Sequence, residues 1–326
     1  MVRVGFLGAL SSSFADRVRA HLTVPCDFVH SDEGSALDVL AEVEVLVTLV
    51  FTREMAAAAT RLRLVQVPGA GLDRIDRSAV PAGVSLATVH GHETGIAEYV
   101  LGAMIALSRN FDRLNASLRA GRWESQWAPG VPAPPVWPEL SGRTLGVLGY
   151  GGIGQEVARR ARAFDMRVCA IRRNLGQSAG DDLALLGDMH SLDEVLRRSD
   201  YLAITLPLGP ETQGLIGAKQ LGLMKPTAII INVSRAQIVD EDALYAALSE
   251  QRIGGAALDV WYRYPSAPGP VLPSRRAFHE LPNVLMTPHV SGWTDGMLEA
   301  RATLIAENIR RTAYGECPEY LVPLVP

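Results

Sequence analysis

Residues 144–154 read Thr144-Leu-Gly-Val-Leu-Gly-Tyr-Gly-Gly-Ile-Gly154, and this stretch decides the fold. Its first half is a short apolar run, which predicts a buried β-strand. Its second half matches G-x-G-x-x-G, and apolar residues at 153, 157, 161 and 164 then recur at helical spacing. A strand, a glycine-rich turn and a helix in this order are typical of the loop that binds the pyrophosphate of a dinucleotide.

Three glycines of this loop have separate tasks in such a fold. Gly149 permits the tight turn, Gly151 lets the backbone approach a phosphate, and Gly154 allows the helix to pack closely on the strand. The N–H groups and the positive dipole end of the helix then face the phosphates. We therefore expect a dinucleotide to bind here; the alternative is a tight strand–helix turn without a ligand.

Composition and charge narrow the class of protein. The chain has 326 residues, of which 48% are hydrophobic and 20% charged, an ordinary globular balance that fits about two domains. The net charge of −4 gives no sign of binding to nucleic acid or to an anionic membrane. The 3 scattered cysteines suggest neither a disulfide framework nor a metal site. With no targeting segment or long apolar span visible, we expect a cytoplasmic protein without a bound metal.

Strands and helices alternate along most of the chain, which predicts an α/β fold with parallel sheets. Strands are expected at 2–7, 43–51, 62–67 and 84–89, and then at 144–148, 167–171, 201–206, 227–232, 255–260 and 284–287. A last helix, at 294–314, is expected to return to the first domain. We therefore predict one domain formed by 1–95 plus 296–326 and a dinucleotide-binding domain at 96–295.

A long helix is expected from residue 96 to about 118, followed by an irregular arm at 121–140. The arm contains Trp123, Trp127, Trp137 and several prolines, so it is unsuited to a helix or a central strand. Its simplest interpretation is a connection between domains. Because tryptophan is enriched at protein interfaces, the arm also suits a contact between subunits.

The residues after the second strand of the dinucleotide-binding domain indicate which dinucleotide binds. NAD-binding chains carry Asp or Glu about 20 residues beyond the glycine loop, where the carboxylate accepts hydrogen bonds from the ribose. Here the strand ends in Arg172-Arg173-Asn174. Two guanidinium groups suit a 2′-phosphate. We therefore predict NADP(H) as the preferred cofactor, with NAD(H) also allowed; the alternative is a pair of solvated surface arginines.

Six segments, in order, resemble the D-isomer-specific 2-hydroxyacid dehydrogenases, in particular the NADP-type glyoxylate/hydroxypyruvate reductases. They are Pro68–Asp76, Ile96–Glu98, Arg119–Trp123, Lys225–Leu244, Ala257–Val260 and Thr287–Gly292, and together they span nearly the whole chain. The resemblance implies a flavodoxin-like substrate domain and a Rossmann doubly wound NAD(P)-binding domain, with a cleft between them. It also implies a homodimer that transfers a hydride between a nicotinamide and a small 2-oxo or D-2-hydroxy acid.

The resemblance further implies a role for each matching residue. Arg235 would bind the substrate carboxylate and polarise its carbonyl, and His289 would act as acid or base. The backbone N–H groups of Gly69, Ala70 and Gly71 would also receive the carboxylate. Asp259 and the Val233 carbonyl would hold the nicotinamide amide. With the glycine loop, the cofactor would contact Gly149, Tyr150, Gly151, Gly152, Ile153, Gly154, Arg172, Arg173, Asn174, Leu206, Pro207, Thr212, Val233, Ser234, Asp259, His289 and Gly292.

One position departs from the family pattern. The family places Glu five residues after the Asp of Leu-Asp-Val, where it pairs with the catalytic His; here that position holds Tyr264. A neutral phenol cannot stabilise an imidazolium as a carboxylate does, although it can hydrogen-bond to it. Three interpretations stay open: an insertion lets Glu280 or another acid take the role, His289 works with Tyr264 on a different substrate, or catalysis is impaired. We favour the second.

A second departure lies before the long helix. His92 stands where the family has Asn, and Glu93 follows it. One hypothesis is that Glu93 replaces the missing carboxylate. The alternative is a carboxylate placed favourably at the N-terminus of a helix.

Aromatic residues are frequent around the last motifs: Trp261, Tyr262, Tyr264 and Trp293. They suggest an aromatic-lined pocket, with Trp293 at the substrate, that would favour a substrate larger or less polar than glyoxylate. The alternative is ordinary core packing.

Arg235 and His289 together favour an enzyme that reduces a 2-oxo acid with NADPH. A dehydrogenase of another small oxyanion, such as phosphite or formate, is a variant of this interpretation. A regulatory protein that binds NAD(P)H without turnover is a different class, and it stays open because a fold does not fix a function.

Overall fold

Two parallel sheets organise the chain in the computed structural model, which describes residues 1–134, 136–176 and 182–324. Each sheet belongs to its own compact unit. The first unit comprises Met1–His92 and the segment that starts at Trp293, and the second comprises Glu93–Gly292. From the sequence we expect the same division a few residues later, at 95 and 295.

The first unit has a five-stranded sheet in the order β2-β1-β3-β4-β5, with every strand pair parallel. This is the flavodoxin-like order, as predicted. Its strands are β1 Val2–Leu7, β2 Cys26–Ser31, β3 Val45–Val47, β4 Leu64–Gln66 and β5 Ser85–Ala87. Its helices are α1 Ala9–Ser13, α2 Ala15–His21, α3 Leu37–Leu40, α4 Arg53–Ala58 and α11 Asp295–Tyr314.

The second unit has a seven-stranded parallel sheet in the order β12-β11-β10-β9-β6-β7-β8. Counted from β6, this is the doubly wound Rossmann order with one further strand, which confirms the predicted fold class. Its strands are β6 Thr144–Leu148, β7 Arg167–Ile171, β8 Leu185–Gly187, β9 Tyr201–Ile204, β10 Ile229–Asn232, β11 Gly255–Leu258 and β12 Val284–Met286. Its helices are α5 Glu93–Ser108, α6 Phe111–Arg119, α7 Gly152–Ala163, α8 Leu192–Arg198, α9 Ala218–Leu221 and α10 Glu241–Ser249.

The core of the second unit lies on both faces of its sheet. Val147 and Ala203 pack on one face with residues of α5 and α7, whereas Leu148 and Ile204 pack on the other face with residues of α8 and α10. Successive side chains of a strand point to opposite faces, so a strand covered on both sides is apolar throughout. This explains why the sequence shows β6, β9 and β10 as continuous apolar runs, from which these strands can be predicted.

The last helix completes the first unit. Ile305 and Ile309 of α11 are fully buried in one cluster with Val4 and Phe6 of β1. The expected return of the chain to the first domain is therefore confirmed. Strand β2 was not predicted, because it is an edge strand whose residues are only partly buried and lack a clear apolar run.

The helix predicted from residue 96 to 118 is two helices. Asn110 has a left-handed backbone, with φ 51°, which ends α5 and starts α6. Asparagine tolerates this conformation better than most residues. The arm that follows has no helix or strand in its described residues, 121–134 and 136–140, and Pro135 lies outside them. Trp123 and Trp127 are 57% and 81% exposed there.

Across the described ranges, no helix is both long and apolar enough to cross a membrane.

Candidate active site

The glycine loop joins β6 to α7 in the geometry that its three glycines predict. Gly149 has φ +104°, and a Cβ there would lie 2.8 Å from the Leu206 backbone nitrogen. A Cβ on Gly154 would collide with the Gly149 carbonyl oxygen. A Cβ on Gly151 would meet no other described atom within 4 Å, so this glycine borders open space. The loop thus leaves room for a ligand at the helix N-terminus, where a phosphate would be stabilised.

The loop lies at the point where the sheet reverses its strand order. β6 pairs with β7 on one side and with β9 on the other. The Thr205 hydroxyl, just after β9, lies 2.7 Å from the Gly149 carbonyl oxygen and ties the two strand ends together. In open α/β sheets, ligands bind in the crevice at such a switch point.

The predicted ribose-binding residues follow β7. Arg172 is half-buried and donates its backbone N–H to the Gly187 carbonyl, while Arg173 and Asn174 are exposed. Arg173 lines an open pocket of about 330 Å³ together with Pro207, Leu208, Gly209, Pro210, Glu211 and Thr212. The structure therefore brings Arg173, Pro207 and Thr212 together, as the cofactor assignment requires.

Thr212 shapes the wall of this pocket. Its hydroxyl donates to the Pro207 carbonyl at 2.7 Å and accepts the Gly209 N–H at 2.9 Å. The side chain is buried. Thr212 thus holds the 207–212 turn in shape, a task that the sequence motif does not reveal.

The loop that carries Arg235 is held by a side chain that sequence reasoning missed. Asn232 is buried, accepts the Ser234 N–H at 3.1 Å and donates to the Arg235 carbonyl at 3.0 Å. The Ser234 hydroxyl donates to the Leu206 carbonyl, which links this loop to the end of β9. Val233 is buried between them. The asparagine at the end of an apolar strand was the available signal, because a buried amide needs partners.

The loop that carries His289 is anchored by Asp259. This carboxylate is fully buried and accepts the Thr287 hydroxyl at 2.6 Å and the Val290 and Ser291 N–H groups at 2.9 Å each. His289 itself has a left-handed backbone, with φ 59°. Such a backbone persists in a non-glycine residue only when the surroundings enforce it. Asp259, which the family resemblance assigns to the nicotinamide amide, is thus also the anchor of the His289 loop.

A tyrosine of α5 extends this anchor. The Tyr99 hydroxyl lies 2.7 Å from the Thr287 hydroxyl, and because that hydroxyl donates to Asp259, Tyr99 is the donor of the pair. Burial raises the pKa of Tyr99 to about 12, so the phenol keeps its proton at neutral pH. No sequence motif pointed to Tyr99.

Tyr264 contacts His289. Its hydroxyl oxygen lies 2.8 Å from the Nδ1 atom of His289, and the Trp261 backbone N–H donates to the same oxygen at 3.3 Å. Tyr264, which the resemblance aligns with a glutamate of the family, therefore lies beside the histidine. Tyr264 remains 51% exposed.

The expected aromatic pocket is wrong for two of its four residues. Trp261 is buried and donates its indole N–H to the Thr287 carbonyl at 2.8 Å. Tyr262 packs on the core and donates to the Val239 carbonyl at 2.9 Å; burial raises its pKa above the ordinary value. These two side chains pack in the core of the second unit, where each donates a hydrogen bond to a backbone carbonyl. Trp293, which is 48% exposed, packs edge-on against Phe14 within the first unit.

The remaining candidates have the following places. Glu93 begins α5, and its Cγ would lie 3.2 Å from a Cβ on Gly152, so its side chain borders the glycine loop. Its role as a substitute carboxylate stays a hypothesis. In the first unit, the Gly69 carbonyl accepts the Val89 N–H and Arg301 donates to the Pro68 carbonyl, which fixes the start of the 69–71 loop.

One edge of the second sheet collects most of the predicted site. In a parallel sheet the carboxyl ends of all strands lie at the same edge. The loops that leave this edge are 149–154 after β6, 172–174 after β7, 206–212 after β9, 233–235 after β10, 259–264 after β11 and 287–292 after β12. Among the described residues, no group of three or more His, Cys, Asp or Glu side chains is placed to hold a metal ion.

Comparison with known proteins agrees with this arrangement. The family described as D-isomer specific 2-hydroxyacid dehydrogenase, NAD binding domain, matches residues 101–291. The chain belongs to this family. A glyoxylate reductase of Thermococcus gammatolerans is 33% identical over 291 residues, which cover 88% of this chain and 84% of that protein.

Two further relatives show the range of the family. The D-3-phosphoglycerate dehydrogenase of Methanocaldococcus jannaschii is 35% identical over 277 residues, 83% of this chain, and the chain spans about half (49%) of its length. The structure of an NADPH-dependent glyoxylate/hydroxypyruvate reductase from Sinorhizobium meliloti, in complex with NADP and malonate, superposes with a TM-score of 0.81. The two chains are 26% identical, and the match covers 100% of this chain and 98% of that one.

The glycine geometry separates folding from binding in a pair of variants. Gly154→Ala places a methyl group against backbone and should lower the free energy of unfolding by about 1–3 kcal/mol. Gly151→Ala meets open space and should leave that free energy within about 0.5 kcal/mol, yet it should abolish the rise in melting temperature on adding NADPH. Thermal melts with and without NADPH measure both effects. Wild-type melting of Gly154→Ala would contradict the packing argument.

Proposed function

We propose that this family member is an NADP(H)-dependent oxidoreductase that interconverts a 2-oxo acid and a D-2-hydroxy acid. The observation that carries the proposal is the loop edge of the second sheet. There the glycine loop follows β6, Arg235 follows β10 and an anchored His289 follows β12, all at the same edge of one sheet. When bound, the nicotinamide supplies or accepts the hydride. The names of the glyoxylate reductase relatives support a small 2-oxo acid as the substrate.

Arg235 is the proposed partner of the substrate carboxylate. A guanidinium binds a carboxylate with two parallel charge-assisted hydrogen bonds, which fixes the orientation of the substrate. It also stabilises the negative charge that develops on the carbonyl oxygen during reduction. The Asn232 hydrogen bonds support this role, because they hold the Arg235 backbone in one place.

His289 is the proposed acid or base. Reduction turns the carbonyl oxygen into an alkoxide that must gain a proton, and oxidation requires the reverse. The Asp259 anchor supports this role, because it fixes the loop on both sides of the histidine and leaves the ring itself exposed.

Turnover of NADPH with a panel of 2-oxo acids, from glyoxylate to aromatic pyruvates, tests this proposal. We expect NADPH consumption that falls by about 100-fold or more in His289→Ala, the range attributed to general acid–base catalysis. His190→Ala is the matched control, because His190 is an exposed histidine on a turn before α8 and should change nothing.

Wild-type protein that binds NADPH but consumes none with any 2-oxo acid would overturn the proposal. Such a protein would fit the regulatory alternative, and phosphite and formate would be the next substrates to assay.

NADP(H) is the proposed cofactor over NAD(H). Arg172 and Arg173 follow β7, where a carboxylate would bind the ribose of NAD, and Arg173 borders the pocket formed by the 207–212 turn. Two guanidinium groups there favour a phosphate on the 2′-oxygen.

Single arginine variants test the cofactor preference. Arg172→Ser and Arg173→Ser should each weaken NADPH binding by roughly tenfold to a hundredfold, the loss expected for a charge-assisted hydrogen bond, and leave NADH binding unchanged. Arg197→Ser removes the same charge from the exposed face of α8 and serves as the control. Titration of cofactor fluorescence measures the dissociation constants. Equal increases in the dissociation constants of NADPH and NADH would show that the arginines do not bind the 2′-phosphate.

A homodimer is proposed to form through α6 and the arm after it. Phe111 and Leu118 of α6, 51% and 52% exposed, and Trp127 of the arm present apolar surface that a partner copy would cover. Sedimentation equilibrium should show a dimer for the wild type and a weakened dimer for Trp127→Ser. Leu272→Ser, which removes an exposed apolar side chain elsewhere, should not change the mass. A monomeric wild type would refute the dimer.

A further inference from the structure

The Tyr264 hydroxyl lies between a backbone donor and the imidazole of His289. The Trp261 N–H can only donate, so it occupies one lone pair of the Tyr264 oxygen. The phenol has a single proton, and the Nδ1 atom of His289 is 2.8 Å away. An oxygen that already accepts one hydrogen bond becomes a stronger donor, so this arrangement favours Tyr264 as the donor and Nδ1 as the acceptor.

The direction of this bond sets the form of the imidazole. When Nδ1 accepts a hydrogen bond, a neutral ring carries its proton on Nε2. A carboxylate in the same position can only accept, so it requires a proton on Nδ1 and favours the doubly protonated ring. The tyrosine therefore stabilises the form of His289 that a glutamate would disfavour.

Three other groups near this loop have hydrogen-bond partners of their own. Asp259 uses both carboxylate oxygens on Thr287, Val290 and Ser291. Tyr99 donates to Thr287 and keeps its proton. Arg263, next to Tyr264 in the chain, is exposed and donates its backbone N–H to the Pro273 carbonyl.

We propose that Tyr264 supplies, through His289, the proton that the reduced substrate takes up, so that the imidazole relays a proton while it stays neutral. This inference rests on the proposed 2-oxo acid reduction. Tyr264 acts through His289 and is therefore a positioning residue, whereas His289 is the catalytic one.

The proton balance of the relay is complete. As the alkoxide forms, the Nε2–H bond of His289 breaks and the O–H bond of the product forms, while the Tyr264 O–H bond breaks and an Nδ1–H bond forms. The resulting phenolate is stabilised by the Trp261 N–H. After the product leaves, Nε2 takes a proton from water and Nδ1 returns its proton to Tyr264. Water can reach the tyrosine, because half of its surface is exposed. The relay is favourable because a phenol, with a pKa of about 10, is a stronger acid than an alcohol.

The pH dependence of the reduction tests the relay. With NADPH and glyoxylate, kcat of the wild type should stay constant through neutral pH and fall only at alkaline pH, where the phenol ionises. In Tyr264→Phe only the imidazolium can donate a proton, so kcat should already fall through neutral pH, by about tenfold per pH unit once the imidazolium has lost its proton. In Tyr264→Glu the fall should come about 1–3 pH units later than in Tyr264→Phe.

Tyr262→Phe is the matched control, since it removes a hydroxyl two residues away that bonds to the core. Its pH profile should equal that of the wild type. A Tyr264→Phe profile that is parallel to the wild-type profile would overturn the relay.

A second measurement does not depend on turnover. Nitrogen NMR of histidine-labelled protein, with His289→Ala to identify the signal among the 7 histidines, reports which ring nitrogen carries the proton. Protonation of Nε2 alone in the wild type at pH 8, with a proton on Nδ1 appearing in Tyr264→Glu, supports the relay, and protonation of Nδ1 in the wild type overturns it. Nε2 protonation in a protein without turnover overturns the proposed function alone, because the direction of the Tyr264 bond would still hold.

Discussion

The buried carboxylate of Asp259 is the interaction on which the candidate site depends. It accepts three hydrogen bonds from the loop after β12, and these bonds fix the backbone on both sides of His289. A buried charge is costly unless it is satisfied in this way. Because the same loop holds His289 at a positive φ, the carboxylate offsets a local strain and presents the imidazole to the edge of the sheet.

The edge itself follows from the sheet topology. The carboxyl ends of parallel strands share one edge, so residues up to about 140 positions apart in sequence leave the sheet at the same edge. Short side-chain bonds then fix each loop against its neighbour: Thr205 to Gly149, Ser234 to Leu206 and Asn232 to the backbone of Arg235. These small polar groups give the loops a defined shape without regular secondary structure.

The fold could be predicted where a short segment of sequence carries the signal for its own structure. The glycine loop, six of the seven strands of the second sheet and the returning helix could be predicted, because each has its own pattern. The break at Asn110 and the edge strands β2 and β8 were missed, since none of them follows from apolar periodicity. In the site, the Tyr264 substitution was visible in the sequence, but the Trp261 N–H that orients the phenol is a backbone group and leaves no trace in residue types. The inward positions of Trp261 and Tyr262 depend on tertiary packing, which a single sequence does not reveal.

The discontinuous first unit has a consequence for synthesis of the chain. One face of its sheet is covered by α11, which contributes Ile305 and Ile309 to the buried cluster around β1. A ribosome releases β1 about 300 residues before it releases that helix, so this face of the nascent sheet is only partly covered, by α2, while the whole second unit is made. The second unit, whose residues are contiguous, can fold in the meantime. The order of translation therefore makes the nucleotide-binding unit the first stable part of the molecule, and the early strands are the segment that a chaperone would need to shield.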